Sequence, residues 1–529
     1  MKSSARFARM ALILIAALVA EAALPAFSIR AAPRPNILFI LTDDLDLAEI
    51  AFMPKLKSLL IDQGVTFDNY FVSVSLCCPS RTTTLRGQYA HNTGVLTNGG
   101  GNGGFEKAYA LGDEQSTIAT WLHSGGYRTG LFGKYLNGYP HTAAETYIPP
   151  GWTEWNSAVK GNPYSEYNYT LNENGKLVTY GNKPEDYGTD VYAKKANAFI
   201  QQAAKDHQPF FAYLAVYAPH QPATPAPRHK DLFPNAKAPR TPNYNEADVS
   251  DKPEYIAARP LLGPVVMNRV DNLYRRRLQS LQAVDDAISM LYDTLKATGQ
   301  LENTYIVFTS DNGFHLGNHR MPAGKQTAYE EDIHLPLIIR GPNIAAGSHV
   351  SQLAGNIDLA PTMADMGGVN PADFVDGRSL LPLATGKTPE RWRQAYLVEH
   401  WVQGPEQAGA IMQEPADEDE LPGESSAVVL ATPPANATQP ARRGLLARFG
   451  IPEFHGIRVN GYAYVEYVTG EKELYDLNQD PYELNNLSSK AAPPLLKVLS
   501  ERVSALVKCK ADACRDAEDR PLPINAVGK

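Results

Sequence analysis

Four short apolar runs punctuate the chain, and each ends in polar residues. NILFILT (36–42) leads into Asp43 and Asp44, and YRTGLFG (127–133) leads into Lys134. PFFAYLAVYA (209–218) ends just before His220, and NTYIVFTS (303–310) leads into Asp311 and Asn312. Continuous apolar runs of this length suit strands covered on both faces, as in a parallel sheet. A helical period alternates with them. Leu278, Leu281, Val284, Ile288, Leu291 and Leu295 recur at three- and four-residue spacing, which predicts a helix over 273–298 closed by Gly299. Strand–helix alternation predicts a doubly wound α/β domain. Ligands of such sheets bind beyond the carboxyl ends of the strands. Four strand ends delivering polar residues to that edge therefore define a candidate site.

The pattern changes after about residue 385. Residues 404–445 are rich in Pro, Ala, Glu and Asp, including EPADEDELPGESS, and read as a solvated insertion. In the stretch 455–477, Asn460-Gly461 between β-rich runs is a hairpin signal, and Thr469-Gly470 marks a second one. A terminal helix is expected over about 490–508. The expected organisation is a leader (1–32), a catalytic α/β domain (33–385) and a C-terminal subdomain (386–529) built on a small antiparallel sheet. No internal repeat is present.

The N-terminus changes the picture of where the chain works. Lys2, Arg6 and Arg9 precede the apolar run 10–20, and Ala20-Glu21-Ala22 forms an A-x-A cleavage pattern. This reads as a secretory signal peptide. No other stretch approaches the roughly 18 apolar residues of a membrane span, so no stable membrane insertion is expected after cleavage. Secreted, periplasmic and lysosomal destinations all fit. The formal net charge is −8 and no long Lys/Arg cluster occurs, which excludes a nucleic-acid partner.

Export implies an oxidising compartment. Cys509 and Cys514 lie close enough in sequence to close a small disulfide loop. A bond between the adjacent Cys77 and Cys78 would be strained, because ordinary bridges need more widely separated Cα atoms. That pair is present for something other than stapling.

The strand-end residues suggest what that is. Asp43, Asp44, Asp311 and Asn312 offer oxygen ligands of the kind that hard cations such as calcium prefer. Neither His nor Cys belongs to this group, which argues against zinc. Arg81, Lys134, His220 and Lys325 would surround such an ion. Cations around a metal suit a tetrahedral oxyanion, sulfate or phosphate. Pro79 and Ser80 are good helix-start residues, and SRTTTLRGQYA is expected to run on as a helix. Cys77 would then stand at or just before a helix N-terminus, where anions bind and nucleophiles are activated.

These residues carry a family resemblance. CCPSRTTTLRG resembles the signature of type I sulfatases, C-x-P-S-R followed by a short segment and Gly. PNILFILTDD, GKYLNGY, APHQP, TSDNGFHLG, GKQTAYEEDIHLPLIIRGP and ELYDLNQDPYELNNL resemble further family segments in the expected order. CCPSR, GKYLN, PPGWTEW and YNYTLNENG are most similar to the N-acetylglucosamine-6-sulfatase branch. The resemblance implies an alkaline-phosphatase-like α/β fold and hydrolysis of sulfate esters of sulfated glycans. It also implies one calcium ion and conversion of Cys77 to formylglycine by a formylglycine-generating enzyme. Asp43, Asp44, Asp311 and Asn312 would hold the ion, with formylglycine 77 completing the set. The hydrated aldehyde would attack sulfur and later expel sulfate. Arg81 would stabilise the diol, Lys134 and Lys325 would bind sulfate oxygens, and His220 would assist the leaving alcohol.

The chain departs from the family pattern twice. Many sulfatases have His two residues after the lysine, where this chain has Leu136 followed by Asn137. Asn137, His91 and His315 are therefore candidates for the diol's base or for a substrate contact. Arg86 stands where the family commonly has Thr. Three other readings stay open: an arylsulfatase of broader specificity, a phosphodiester or phosphonate monoester hydrolase of the same superfamily, and a non-catalytic secreted glycan-binding protein.

Overall fold

The computed structural model describes residues 34–402 and 450–522. The expected signal peptide and the acidic insertion at 404–445 lie outside the described residues. β1 (Asn36–Thr42), β2 (Val65–Phe67), β3 (Arg128–Gly133), β4 (Glu154–Gly161), β5 (Tyr169–Glu173), β6 (Lys176–Tyr180), β7 (Phe210–Ala215), β8 (Thr304–Ser310), β9 (Ile338–Arg340) and β10 (Ser348–Val350) form one mixed sheet. Its order is β10-β2-β9-β8-β1-β7-β3-β4-β5-β6. The four apolar runs of the sequence are the four neighbouring strands β8, β1, β7 and β3. They run parallel, so all four carboxyl ends open onto one edge. The polar edge hairpin β5–β6 and the short strands β9, β2 and β10 carry no continuous apolar run that would have announced them.

Both faces of this sheet are buried. Ile37, Phe39 and Leu41 of β1 point into one core, and Leu38 and Ile40 point into the other. Against the first face pack α1 (Cys77–Arg86), α2 (Ile118–Ser124) and the helix Leu359–Met366. Against the second pack α3 (Gly188–Lys205) and α4 (Pro264–Ala297). Each fully buried Leu, Ile or Phe stabilises the fold by about 1.5–3 kcal/mol. The apolar stripe of α4 is the one read from the sequence, and Gly299 follows its end at φ +69°. The helix begins nine residues earlier than expected, because Val270, Leu273 and Tyr274 pack with Tyr244, Phe314 and Leu316 in a separate cluster.

α1 ends sooner than expected. It stops at Arg86, and GQYA does not continue it. Gly87 caps the helix at φ +71°, and a Cβ there would meet Pro361 Cδ and Val375 Cγ1 at 3.0 Å. Tertiary packing as well as backbone geometry requires glycine at this turn.

A second sheet lies near the C-terminus. β11 (Ala395–His400), β12 (Phe454–Val459), β13 (Tyr462–Tyr467) and β14 (Lys472–Asp476) pair antiparallel in chain order. Asn460-Gly461 forms the turn between β12 and β13, with Val459 opposite Tyr462. The helix Pro493–Leu506 follows, and the Cys509–Cys514 disulfide joins it to the helix Asp512–Asp519. Side chains of this sheet belong to the same core as the first face of the large sheet. Among the described residues no helix is long and apolar enough to cross a membrane.

One buried cation ties the layers together. Arg393 Nη2 donates to Asp358 Oδ1 at 2.8 Å, Nη1 donates to Asp358 Oδ2, and Nε donates to Glu518 Oε2 at 2.8 Å. All three side chains are fully buried. Breaking a buried pair from one side leaves an uncompensated charge, which costs about 3–5 kcal/mol. Arg393→Met is therefore expected to lower the stability by that amount, measured as a shift in the urea midpoint at unchanged slope.

Candidate active site

The site is assembled around the first turn of α1. No side chain of α1's own N-terminus caps it; Asn98 Oδ1, from a distant loop, accepts the Cys78 amide at 2.8 Å. Ser80 Oγ donates to the Asp311 carbonyl, and Asn356 Nδ2 donates to Ser80 Oγ at 3.0 Å. These bonds fix the start of α1 against the carboxyl end of β8. Every residue from Cys77 to Leu85 is buried, so this helix is held by specific polar contacts and shows no amphipathic stripe.

Nine of the residues expected from the sequence converge here. Lys134 Nζ pairs with Asp43 Oδ2, and Lys325 Nζ pairs with Asp44 Oδ1. Arg81 Nε donates to Asp311 Oδ2 at 2.7 Å, and its Nη2 lies 3.6 Å from Asp43 Oδ2. Asn312 Nδ2 donates to Asp44 Oδ1 at 2.6 Å. Lys325 Nζ is 2.8 Å from Cys77 Sγ, and that sulfur is 3.5 Å from Asp43 Oδ1. His220 Nε2 stands 3.5 Å from Asp44 Oδ2. The His220 Nδ1 contact to the Gln221 carbonyl, at 2.6 Å, requires the proton on Nδ1 and turns Nε2 toward the site.

The cluster is electrically self-consistent. Three carboxylates, Asp43, Asp44 and Asp311, face three permanent cations, Arg81, Lys134 and Lys325. Burial works to raise the Asp43 carboxyl, but Lys134, His220 and Arg81 outweigh it and hold it at about 2. Asp44 is likewise lowered against its burial, by Lys325 and His220. Burial and the Asp43 charge push the Cys77 thiol well above its ordinary range, so the unmodified sulfur is held protonated.

Among the described residues of this charged cluster, three buried atoms make no hydrogen bond: Asp44 Oδ2, Asn312 Oδ1 and Arg81 Nη2. Two are oxygen acceptors on residues expected to hold calcium, and the third is a cationic donor. Asp43, Asp44, Cys77 and His220 also bring ligand-type atoms within 4.8 Å of one another. An oxygen-rich set with orphaned acceptors fits a hard divalent cation. Added next to three balanced ion pairs, such a cation would leave positive charge for an oxyanion.

The Sulfatase family profile matches residues 35–369. The chain belongs to the sulfatase family. It is 35% identical to the N-acetylglucosamine-6-sulfatase of Homo sapiens over 91% of this chain and 86% of the human protein. It is 39% identical to the extracellular sulfatase SULF-1 homolog of Drosophila melanogaster over 69% of this chain, which spans only 33% of the fly protein. A solved structure of a protein in complex with its substrate D-glucosamine-2-N,6-O-disulfate superposes with a TM-score of 0.69 at 24% identity, covering 92% of this chain and 99% of that one. This sulfatase is accordingly a sulfuric ester hydrolase with the alkaline-phosphatase-like fold.

The three residues weighed for the position after Lys134 separate in the sulfatase. Asn137 borders the site: its Nδ2 donates to Tyr164 Oη at 3.3 Å, its Oδ1 is buried without a partner, and with Lys134 and Tyr217 it lines a recess of about 20 Å³. His315 Nδ1 is bonded to Asp332 at 3.0 Å, while its backbone pairs with Gly324, bracing the loop that carries Lys325. His91 lies elsewhere, with its ring nitrogens on Glu399 and the Cys509 carbonyl. Arg86 sits at the far end of α1 from Cys77, donating to the carbonyls of Asp113 and Ser116.

Sequence reading missed several parts of the site. Tyr164 and Tyr217 place their rings 5.0 and 5.9 Å from Lys134 Nζ, and Asn98, Ser80 and Asn356 fix α1. Tyr217 lies in the apolar run 209–218 and read only as part of that run, Ser80 was visible inside the C-x-P-S-R match, and Tyr164, Asn98 and Asn356 lie outside the four runs. Among the described residues a second group, His319, Glu331 and Glu483, also brings ligand-type atoms within 4.8 Å. There Asn243 Nδ2 donates to Glu331 Oε1 at 2.7 Å and lies 3.3 Å from His319 Nε2, so the chain's own amide bridges the group.

Calcium binding to the orphaned oxygens is expected to raise the melting temperature of chelator-treated protein. At a concentration a hundred times its Kd, the ion should add about 2.7 kcal/mol. Asp311→Asn should abolish that response, measured by thermal unfolding with and without calcium.

Proposed function

We propose that this sulfatase hydrolyses the 6-O-sulfate of glucosamine units in sulfated glycans, using a formylglycine made from Cys77 and one calcium ion. The observation that carries the reading is the placement of Cys77 at the head of a buried helix, between Lys325 and Asp43, beside orphaned ligand oxygens. Two relatives support this substrate: the human relative is an N-acetylglucosamine-6-sulfatase, and the superposed structure holds a 6-O-sulfated glucosamine. Residues 1–32 would direct export before the mature enzyme meets its glycan, and a formylglycine-generating enzyme would act on the C-x-P-S-R segment.

Asp43, Asp44, Asp311 and Asn312 would hold the calcium, which supplies Lewis-acid neutralisation of the developing charge. The formylglycine supplies a hydrated aldehyde as the nucleophile toward sulfur. The remaining work falls to the chain's own side chains. Lys134 and Lys325, now paired with Asp43 and Asp44, would turn their ammonium groups to the sulfate oxygens. Arg81 Nη2, which lies 3.6 Å from Asp43 Oδ2 and makes no hydrogen bond, would turn to the oxyanion. His220, held by Nδ1 on the Gln221 carbonyl, presents Nε2 to the leaving alcohol oxygen and delivers a proton there when charged. Such general-acid help is typically worth about 10²–10⁴-fold. Tyr164, its ring tilted against His220 with centroids 4.6 Å apart and its hydroxyl accepting from Asn137, covers this side of the site.

The decisive test is a peptide mass spectrum of the segment containing position 77 from the protein's native host, paired with turnover. An aldehyde in place of the thiol, with release of sulfate from N-acetylglucosamine-6-sulfate, is the expected result. Cys77→Ala should lower kcat by about 10⁴-fold or more. An intact thiol in an enzyme that hydrolyses phosphonate monoesters in preference would overturn the reading. Preference for aryl sulfates over the sugar sulfate would leave the chemistry standing and replace the substrate.

A further inference from the structure

One buried arginine outside the strand-end loops contacts three of them. Arg277 is in the middle of α4 and is completely buried. Its Nε and Nη2 donate to Glu49 Oε1 and Oε2, both at 2.7 Å, forming a bidentate pair in which both side chains are fully buried. Nη2 also donates to the Asp44 carbonyl, and Nη1 reaches the Pro219 carbonyl at 3.4 Å. The guanidinium stacks over the ring of Phe314, 4.5 Å from its centroid. One planar cation thus touches the loop of Asp43 and Asp44, the loop of His220, and the loop that follows Asp311 and Asn312.

Asp44 explains why such a brace is needed. Consecutive side chains at a strand end point to opposite faces. Asp43 and Asp44 nevertheless both face the same centre, because Asp44 adopts φ +63°. For a non-glycine residue this region costs of order 1–3 kcal/mol and persists only where surrounding contacts over-determine it. Its amide donates to Asp311 Oδ1 at 3.1 Å, and its carbonyl is taken by Arg277. Glu49, which forms a capping box with Asp46 at the next helical turn, fixes the guanidinium from the other side.

We propose that Arg277, oriented by Glu49, is the positioning residue that holds Asp44 in its left-handed conformation and so sets the metal affinity and the placement of His220. This rests on the proposed calcium site, and it assigns to α4 a part in the chemistry beyond packing. The bidentate fork matters: lysine offers a point charge and cannot bridge Glu49 and the two carbonyls together.

The test is a calorimetric calcium titration of the folded wild type and of Arg277→Met, Arg277→Lys and Glu49→Gln, run alongside kcat and KM. Half-saturating calcium should rise at least tenfold in Arg277→Met and Glu49→Gln and by less in Arg277→Lys, with kcat falling more than KM rises. A merely structural arginine would lower the melting temperature of the metal-free variants and leave half-saturating calcium unchanged; that result overturns the proposal. Should Arg277→Met not fold, Glu49→Gln gives the same readout. A wild type that binds no calcium would overturn the metal reading itself, whereas wild-type binding retained by the folded variants overturns only the role of Arg277.

Discussion

The structure depends on keeping three carboxylates buried together at the ends of two neighbouring strands. Removing a single carboxylate from water costs several kcal/mol even after relaxation. Asp43, Asp44 and Asp311 sit within reach of one another, and the fold answers each with a cation: Lys134, Lys325 and Arg81. Those cations come from β3's end, from the loop after β8 and from α1. The demand for charge balance thereby recruits three separate segments to one point. The same groups that neutralise the carboxylates are those that would grip a sulfate once a divalent ion takes the oxygens.

This arrangement explains why so much polar surface is buried on the first face of the sheet. α1 carries Ser80, Arg81 and three threonines among its buried residues 77–85, which a simple amphipathic helix would not tolerate. Each polar group that reaches a partner there offsets its own desolvation. Asn98, Asn356 and Ser80 form the frame, and Gly87 ends the helix where Pro361 and Val375 leave no room for a side chain. On the opposite face α4 packs its apolar stripe, yet inserts one arginine among the catalytic loops. The two layers therefore reach the same site from opposite sides.

Family membership and the site geometry bear on different questions. Identity of 35% across most of the chain establishes a sulfatase, while the superposed structure at 24% identity speaks to the fold. Asn137, a neutral amide, stands at the edge of the site with its Nδ2 donating to Tyr164 Oη. His91 and His315 are tied to Glu399 and Asp332, within hydrogen-bond networks that brace neighbouring segments.

The sequence by itself determined the four central strands, the long helix, the C-terminal hairpins and the strand-end residues of the site. Those features are local: an apolar run, a helical period or an Asn-Gly turn needs only its neighbours in the chain. The adjacent cysteines and the C-x-P-S-R segment were legible for the same reason. Tertiary structure decided everything that depends on a partner far along the chain. It ended α1 at Gly87, extended α4 back to Pro264, and formed edge strands whose alternation was too short to read. It also sent His91 to the C-terminal region and brought Arg277 beneath Asp44, 233 residues away in sequence. A buried arginine in a helical pattern looks like one more exposed charge until the fold shows which carbonyls and carboxylate surround it.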